Sequence, residues 1–236
     1  MGRKLFCVKA MVKRLAGWML KGFLLALFGP VVLILPLRFI DPPTTAFMLI
    51  RAGERAWART WPPYPHRDLL RLAAISTNLQ RAAIASEDGQ FYVHHGFDLK
   101  QIENAWRVYE RGGRLRGAST ISQQTVKNLF LCEGGGFVRK GIEAYLTVYL
   151  ELLLPKDRIL ELYLNIAEWG PGIFGAEAGA QYWFKKPAAK LTAAEAARLA
   201  AILPNPNRIN PHHSYARSRV GFVTARMNSI VFPRRR

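Results

Sequence analysis

From Gly22 to Leu37 the sequence reads GFLLALFGPVVLILPL, a run of 16 residues without a charge. Such a run has few places to go. It is buried in a protein core or it enters a bilayer, where only a helix satisfies its backbone. A span needs roughly 20 residues. Extending the run back to Leu15 supplies them, because Lys21 can reach the head groups along its own aliphatic stem. The segment 15–37 is therefore expected to cross a membrane once. Residues 1–14 ahead of it are basic and hold no acid, which places the N-terminus in the cytoplasm and everything after Arg38 on the far side. The alternative is a cleaved signal peptide. Against it, the apolar stretch is long, and Arg38, Phe39, Ile40 and Asp41-Pro42-Pro43 follow it instead of a small-x-small cleavage site.

Charge narrows the partners. The 236 residues carry 34 Lys and Arg against 16 Asp and Glu, a formal charge of +18. Removing residues 1–38 takes away seven basic side chains and leaves 27 against 16, so the body of the protein is basic in its own right. The candidate partners are nucleic acid, phospholipid head groups and a phosphorylated substrate. Half of the chain is hydrophobic, which excludes an acidic disordered protein. Two cysteines, Cys7 and Cys132, on opposite sides of the expected span, cannot build a disulfide scaffold.

Beyond the anchor the pattern is helical, and the soluble part reads as one all-α domain. Pro42-Pro43 and Trp61-Pro62-Pro63-Tyr64-Pro65 punctuate a linker and membrane-proximal segment over 38–66; Thr45–Ile50 and the aromatic-rich 57–64 are expected at the bilayer interface. The main domain follows over 67–236. Asp98 with Gln101 predicts a helix start and Gly112-Gly113 its end. A second helix is expected from Ser119 to about Phe130. A third runs from about Val138 to Leu154 with Ile142, Leu146, Tyr149 and Leu153 inward, closed by Pro155. Ile159, Leu160, Tyr163 and Leu164 form the next apolar face. Thr192 with Glu195 predicts a further capped helix that stops before Pro204.

Four stretches carry candidate chemistry. Glu87-Asp88, with Phe91, His94 and Gly96, gives E-D-x-x-F-x-x-H-x-G. Paired carboxylates near aromatic rings can hold one pKa high enough for general-base work; an isolated acidic pair at a helix end is more often simply solvated. His94 and His95 lack the further spaced ligands of a zinc site, and no HExxH or CxxC occurs. Gly117-Ala118-Ser119-Thr120-Ile121-Ser122-Gln123-Gln124, then Lys127 and Asn128, offers hydroxyls and amide groups that can hold an anionic oxygen at a helix start. Plain N-capping by Ser119 or Thr120 explains the same spacing. Arg139, Lys140 and Glu143 share a helix face, for which an exposed ion-pair network is the default reading. Lys156 to Asn165, K-x-R-I-L-E-x-Y-L-N, reads as a structural helix with a buried tyrosine.

In this order the four motifs resemble the peptidoglycan glycosyltransferases, the polymerase module of family 51 that also occurs in bifunctional penicillin-binding proteins. The likeness covers about residues 70–230. No Ser-x-x-Lys or Lys-Thr-Gly of a penicillin-binding domain is found, so the chain looks like a monofunctional, Gram-negative member with no transpeptidase activity. The resemblance implies a two-lobed, lysozyme-like helical domain held at the inner membrane with its catalytic part in the periplasm. It implies lipid II as substrate, polymerised into β-1,4-linked strands with inversion at C1 and release of undecaprenyl pyrophosphate. Glu87 would be the base and Glu143 the second glutamate, near the leaving group. Lys127, Arg139 and Lys140 would surround the pyrophosphate; Asp88, Phe91, His94, Gly96, Ser119, Thr120, Gln123, Gln124 and Asn128 complete the substrate-binding set. A divalent ion (Mg or Mn) at the pyrophosphate is compatible with it, and no organic cofactor is implied. Partners would be lipid II, the growing strand, membrane lipids and other cell-wall synthases or division proteins, with no nucleic acid. The loop Cys132-Glu133-Gly134-Gly135-Gly136 departs from relatives that carry an arginine there. A mobile loop is expected, one that accepts Gly135→Arg without loss of activity. Two rivals remain: a lysozyme-like glycan hydrolase, and a membrane-tethered basic binding protein.

Overall fold

A computed structural model describes residues 2–58, 68–113, 119–132 and 134–233, with residues 2–10 and 12 described by their backbone alone. The proline run at 61–65, Gly117-Ala118, Glu133, the side chain of Cys7 and the arginines at 234–236 lie outside what is described. The apolar run belongs to α1 (Gly2–Ile34), followed by a 3-10 turn at Leu35–Arg38. After it come α2 (Ala46–Trp57), α3 (Thr77–Glu87), α4 (Leu99–Glu110), α5 (Ile121–Phe130), α6 (Gly136–Leu153) and α7 (Lys156–Ile166). A small antiparallel hairpin, β1 (Glu168–Gly170) and β2 (Ile173–Phe174), leads into α8 (Ala176–Phe184), α9 (Ala193–Ala200) and α10 (Ser214–Met227). Helices dominate, as expected. The hairpin, three residues against two, is too short for any alternation to betray it.

Local chemistry explains the helix ends. Thr120 and Gln123 close a capping box on α5, and Thr192 and Glu195 close another on α9. Asp98 accepts from Gln101 N at the start of α4 (3.0 Å). The helices then pair in two groups. α3, α9 and α10 pack on one another; α5 packs on α2, α6 and α7, with α1 alongside α6.

The centre of the second group is α7, buried from Arg158 to Ile166. Three polar side chains inside such a helix are costly unless each finds partners, and each does. Glu161 accepts from Leu72 N (2.6 Å) and pairs with Arg158. Asn165 accepts from Leu70 N (2.9 Å) and donates to the Leu70 carbonyl (2.7 Å). Arg158 Nε donates to the Leu37 carbonyl (2.7 Å), and its guanidinium pairs with Asp41 (2.7 Å). The motif is structural, as its pattern predicts. It fastens both the anchor exit and the strand of chain entering α3.

Two expectations about faces are corrected. α6 turns Glu143, Leu146, Thr147 and Leu150 inward, one step round from the expected stripe; Ile142 is 45% exposed. Of the segment Thr45–Ile50 expected at the bilayer interface, Thr45, Phe47 and Met48 are buried in the protein, because α2 lies on α5. Leu49 and Trp57 stay exposed.

Lys13–Arg38 is long and apolar enough to cross a membrane. Its far end is part of the domain: Ile34 is fully buried, and Arg38 Nη1 donates to the Leu153 carbonyl (3.0 Å). Cleavage after the span would strip Ile34 and Leu37 from the core. The chain is therefore expected to fractionate with membranes at full length and to resist carbonate extraction. A shortened, carbonate-soluble form would contradict the anchor.

Candidate active site

Glu87 is the last residue of α3 and Asp88 its C-cap. The two neighbours point to different tasks. Asp88 is 1% exposed and fully engaged: His94 Nε2 lies 2.9 Å from both of its oxygens, and Ile121 N donates to Oδ2 (3.0 Å). Gly96 N donates to His94 Nδ1 (3.1 Å), so the ring proton sits on Nε2 and is donated to Asp88. Gly96 has φ +88, and an added Cβ would stand 2.9 Å from Thr147, which explains the glycine two residues after the histidine. Thr120 Oγ1 donates to the Gly96 carbonyl (2.7 Å).

Phe91, His94, Gly96, Thr120 and Gln123 thus form a wall that locks the end of α3 to the start of α5. Phe91 is fully buried, edge-on to Tyr92, with Lys156 Nζ 4.5 Å from its ring centre. Lys156, its pKa lowered by burial, donates to Glu151 (2.8 Å). The N-terminus of α5 is not open to an anion: its own capping box and the Asp88 carboxylate occupy it.

Glu87 faces a cavity of about 440 Å³, bounded by Ser119, Gln124 and Pro204 and, from α10, Tyr215, Arg219 and Arg226. A solvated helix end is excluded by the surroundings. Burial raises the Glu87 pKa, against the opposing pull of the Gln124 hydrogen bond, the Arg219 charge, Ser86 and Lys127. Gln124 Nε2 donates to Glu87 Oε2 (2.9 Å), and Tyr163 donates its hydroxyl to Gln124 Oε1 (3.3 Å). Tyr163 is buried, and burial together with the Glu87 and Asp88 charges pushes its pKa well up, so it remains a donor and keeps the amide N–H turned toward Glu87. A carboxyl of raised pKa in a polar cavity, held by one amide, is suited to accepting a proton.

Gln124 and Pro204 also border a second pocket of about 150 Å³, with Lys127, Asn128, Phe47 and Arg51. The two spaces share Gln124 and Pro204 as walls, and together they make up the groove. Glu143 does not line it directly. It is 2% exposed, with Arg139 Nη1 donating to Oε2 (2.6 Å) and Lys140 donating to Oε1. The expected exposed network is corrected here: packing α6 on α5 buries the acid and leaves the two cations to cover it. Lys140 Nζ also donates to Ser119 Oγ (3.1 Å), which brings this cation to the rim of the Glu87 cavity.

The glycine loop is tied to the same cations. The Gly134 carbonyl accepts from Arg139 Nε (2.6 Å). Gly135 has φ +73, and an added Cβ would stand 2.8 Å from Arg139 Cβ. This geometry sets local strain against a side chain at 135. Gly135→Arg is expected to cost about 1–3 kcal/mol and to lower the thermal unfolding midpoint; an unchanged midpoint would refute the strain.

Sequence reasoning passed over Tyr163 as packing, and it missed α10. Tyr215, Arg219, Phe222 and Arg226, at i, i+4, i+7 and i+11, form one stripe on that helix. Among the described residues no group of three or more His, Cys, Asp or Glu is placed to hold a metal.

The transglycosylase family model matches residues 55–228. Proteins called biosynthetic peptidoglycan transglycosylase are similar over nearly the whole chain. That of Xanthomonas axonopodis pv. citri is 44% identical, over 94% of this chain and 91% of its own. That of Aeromonas hydrophila subsp. hydrophila is 45% identical, over 94% of each. That of Pseudomonas syringae pv. syringae is 47% identical, over 86% of each. With the family model covering most of the chain, including Glu87, Gln124 and α10, the chain belongs to the transglycosylase family.

Proposed function

We propose that this protein polymerises lipid II into β-1,4-linked glycan. Glu87 takes the proton from the 4-hydroxyl of the acceptor's N-acetylglucosamine. That oxygen forms a bond to C1 of the donor's N-acetylmuramic acid as the C1–O bond to pyrophosphate breaks, inverting the centre. The electron pair leaves on undecaprenyl pyrophosphate, whose growing charge Lys127, Arg139 and Lys140 neutralise. Glu143 holds the last two cations in place. Both of its oxygens are engaged by them, so the residues present do not make a cage for a divalent ion, and the neutralising charge in this step comes from side chains.

The observation that carries the reading is the Glu87 carboxyl, its pKa raised by burial, facing a groove whose other end is cationic. The single-pass anchor holds that groove beside a lipid-borne substrate, and the basic tail puts it in the periplasm, against the inner membrane. Incubation with purified lipid II is the test. Glycan chains should lengthen with time; a hydrolase would only shorten preformed polymer, and a binding protein would do neither.

A further inference from the structure

We propose that Arg219 and Arg226 on α10 form an anion subsite that holds the acceptor, recognising a phosphate or carboxylate that it carries. This rests on the polymerase reading above. Lys127, Arg139 and Lys140 account for the departing pyrophosphate, and they lie on the α5 and α6 side of the groove. The α10 side carries two more guanidinium groups that this chemistry leaves without a task. Both line the cavity that contains Glu87.

Neither arginine has a carboxylate of its own among the described residues. Arg219 Nη1 donates to the Tyr215 hydroxyl (3.2 Å), and its Cζ lies 5.8 Å from the Phe222 ring centre. Arg226 Cζ stands 4.9 Å from the centre of the same ring, and an added Cβ on Gly89 would lie 3.1 Å from Arg226 Nη2. The aromatic rings prop the two planar forks at the cavity and leave their N–H edges for a ligand, the arrangement in which arginine recognises phosphate and carboxylate. Glu87 supplies a single negative charge here, and Asp88 is committed to His94 and Ile121 N. The lining thus sets two cations, both on α10, against two carboxylates, of which Asp88 is already hydrogen-bonded elsewhere.

Lipid II offers that chemistry twice, in its own pyrophosphate and in the carboxylates of its peptide. Kinetics with separated substrates test the subsite. The donor is lipid II with a capped 4-hydroxyl, which cannot act as acceptor; uncapped acceptor is titrated against it. Arg226→Gln should raise the acceptor KM about tenfold, the loss of one charge-assisted hydrogen bond at a half-open site, and leave the donor KM as in wild type. Arg226→Lys should recover part of the difference. Repeating the titration with an acceptor stripped of its peptide identifies the anion: the tenfold ratio disappears if a peptide carboxylate is bound and persists if a phosphate is. An acceptor KM within twofold of wild type in both Arg226→Gln and Arg219→Gln overturns the subsite. Wild-type protein that fails to polymerise lipid II would overturn the polymerase reading instead.

Discussion

Glu87→Gln is expected to lower lipid II polymerisation by about 10²–10⁴-fold, the range lost when a positioned general base is removed, while the protein stays folded. The two effects separate because of the sign of the pKa shift. Burial raises the Glu87 pKa, so the ionised carboxylate costs stability that grows as pH rises through the ordinary carboxylate range toward the folded value. Glutamine keeps the shape and removes that cost. The thermal midpoint at neutral pH should therefore hold or rise as activity collapses. In wild type, the acid limb of the rate profile should lie above the usual carboxylate range. Gln124→Leu should move it higher still, because the Gln124 hydrogen bond favours the charged form. A Glu87→Gln protein with more than a tenth of wild-type activity would remove Glu87 from the mechanism.

Much of this fold is legible because local rules agree with global packing. The hydroxyls of Thr120 and Thr192 stand three residues before Gln123 and Glu195, and both boxes close. The apolar face of α7 is continuous, and its helix is buried. The site is harder to read, for two reasons. The first is that spacing on one helix does not say what covers that helix. Arg139, Lys140 and Glu143 look the same whether α6 is solvated or packed on α5; only the packing turns a surface ion pair into a buried acid held by two cations. The same ambiguity moved the inward face of α6 from Ile142 to Glu143. The second is that charged residues at helical spacing usually mean a solvated surface. Arg219 and Arg226 fit that description until the fold carries α10 across to Glu87, more than a hundred residues away along the chain. Tyr163 is legible as buried, but the hydrogen bond that aims Gln124 is a long-range fact.

Glu143→Gln distinguishes two roles for the second glutamate. If Glu143 supplied a proton to the leaving group, its loss would erase the basic limb of the pH–rate profile. The geometry points elsewhere, since both oxygens are taken by Arg139 and Lys140 and the acid does not line the groove. In the proposed mechanism its task is to fix the two cations where pyrophosphate charge develops. Neutralising it frees Arg139 to swing on the Gly134 carbonyl and Lys140 on Ser119, the partners each retains. The expected result is a fall of about 10²–10³-fold in kcat, comparable to losing one preorganised electrostatic contact, with the basic limb still present. Glu143→Asp, which keeps the charge on a shorter stem, should recover part of the rate. Complete loss of the basic limb in Glu143→Gln would make this residue a proton donor, and the two cations would then serve to tune it.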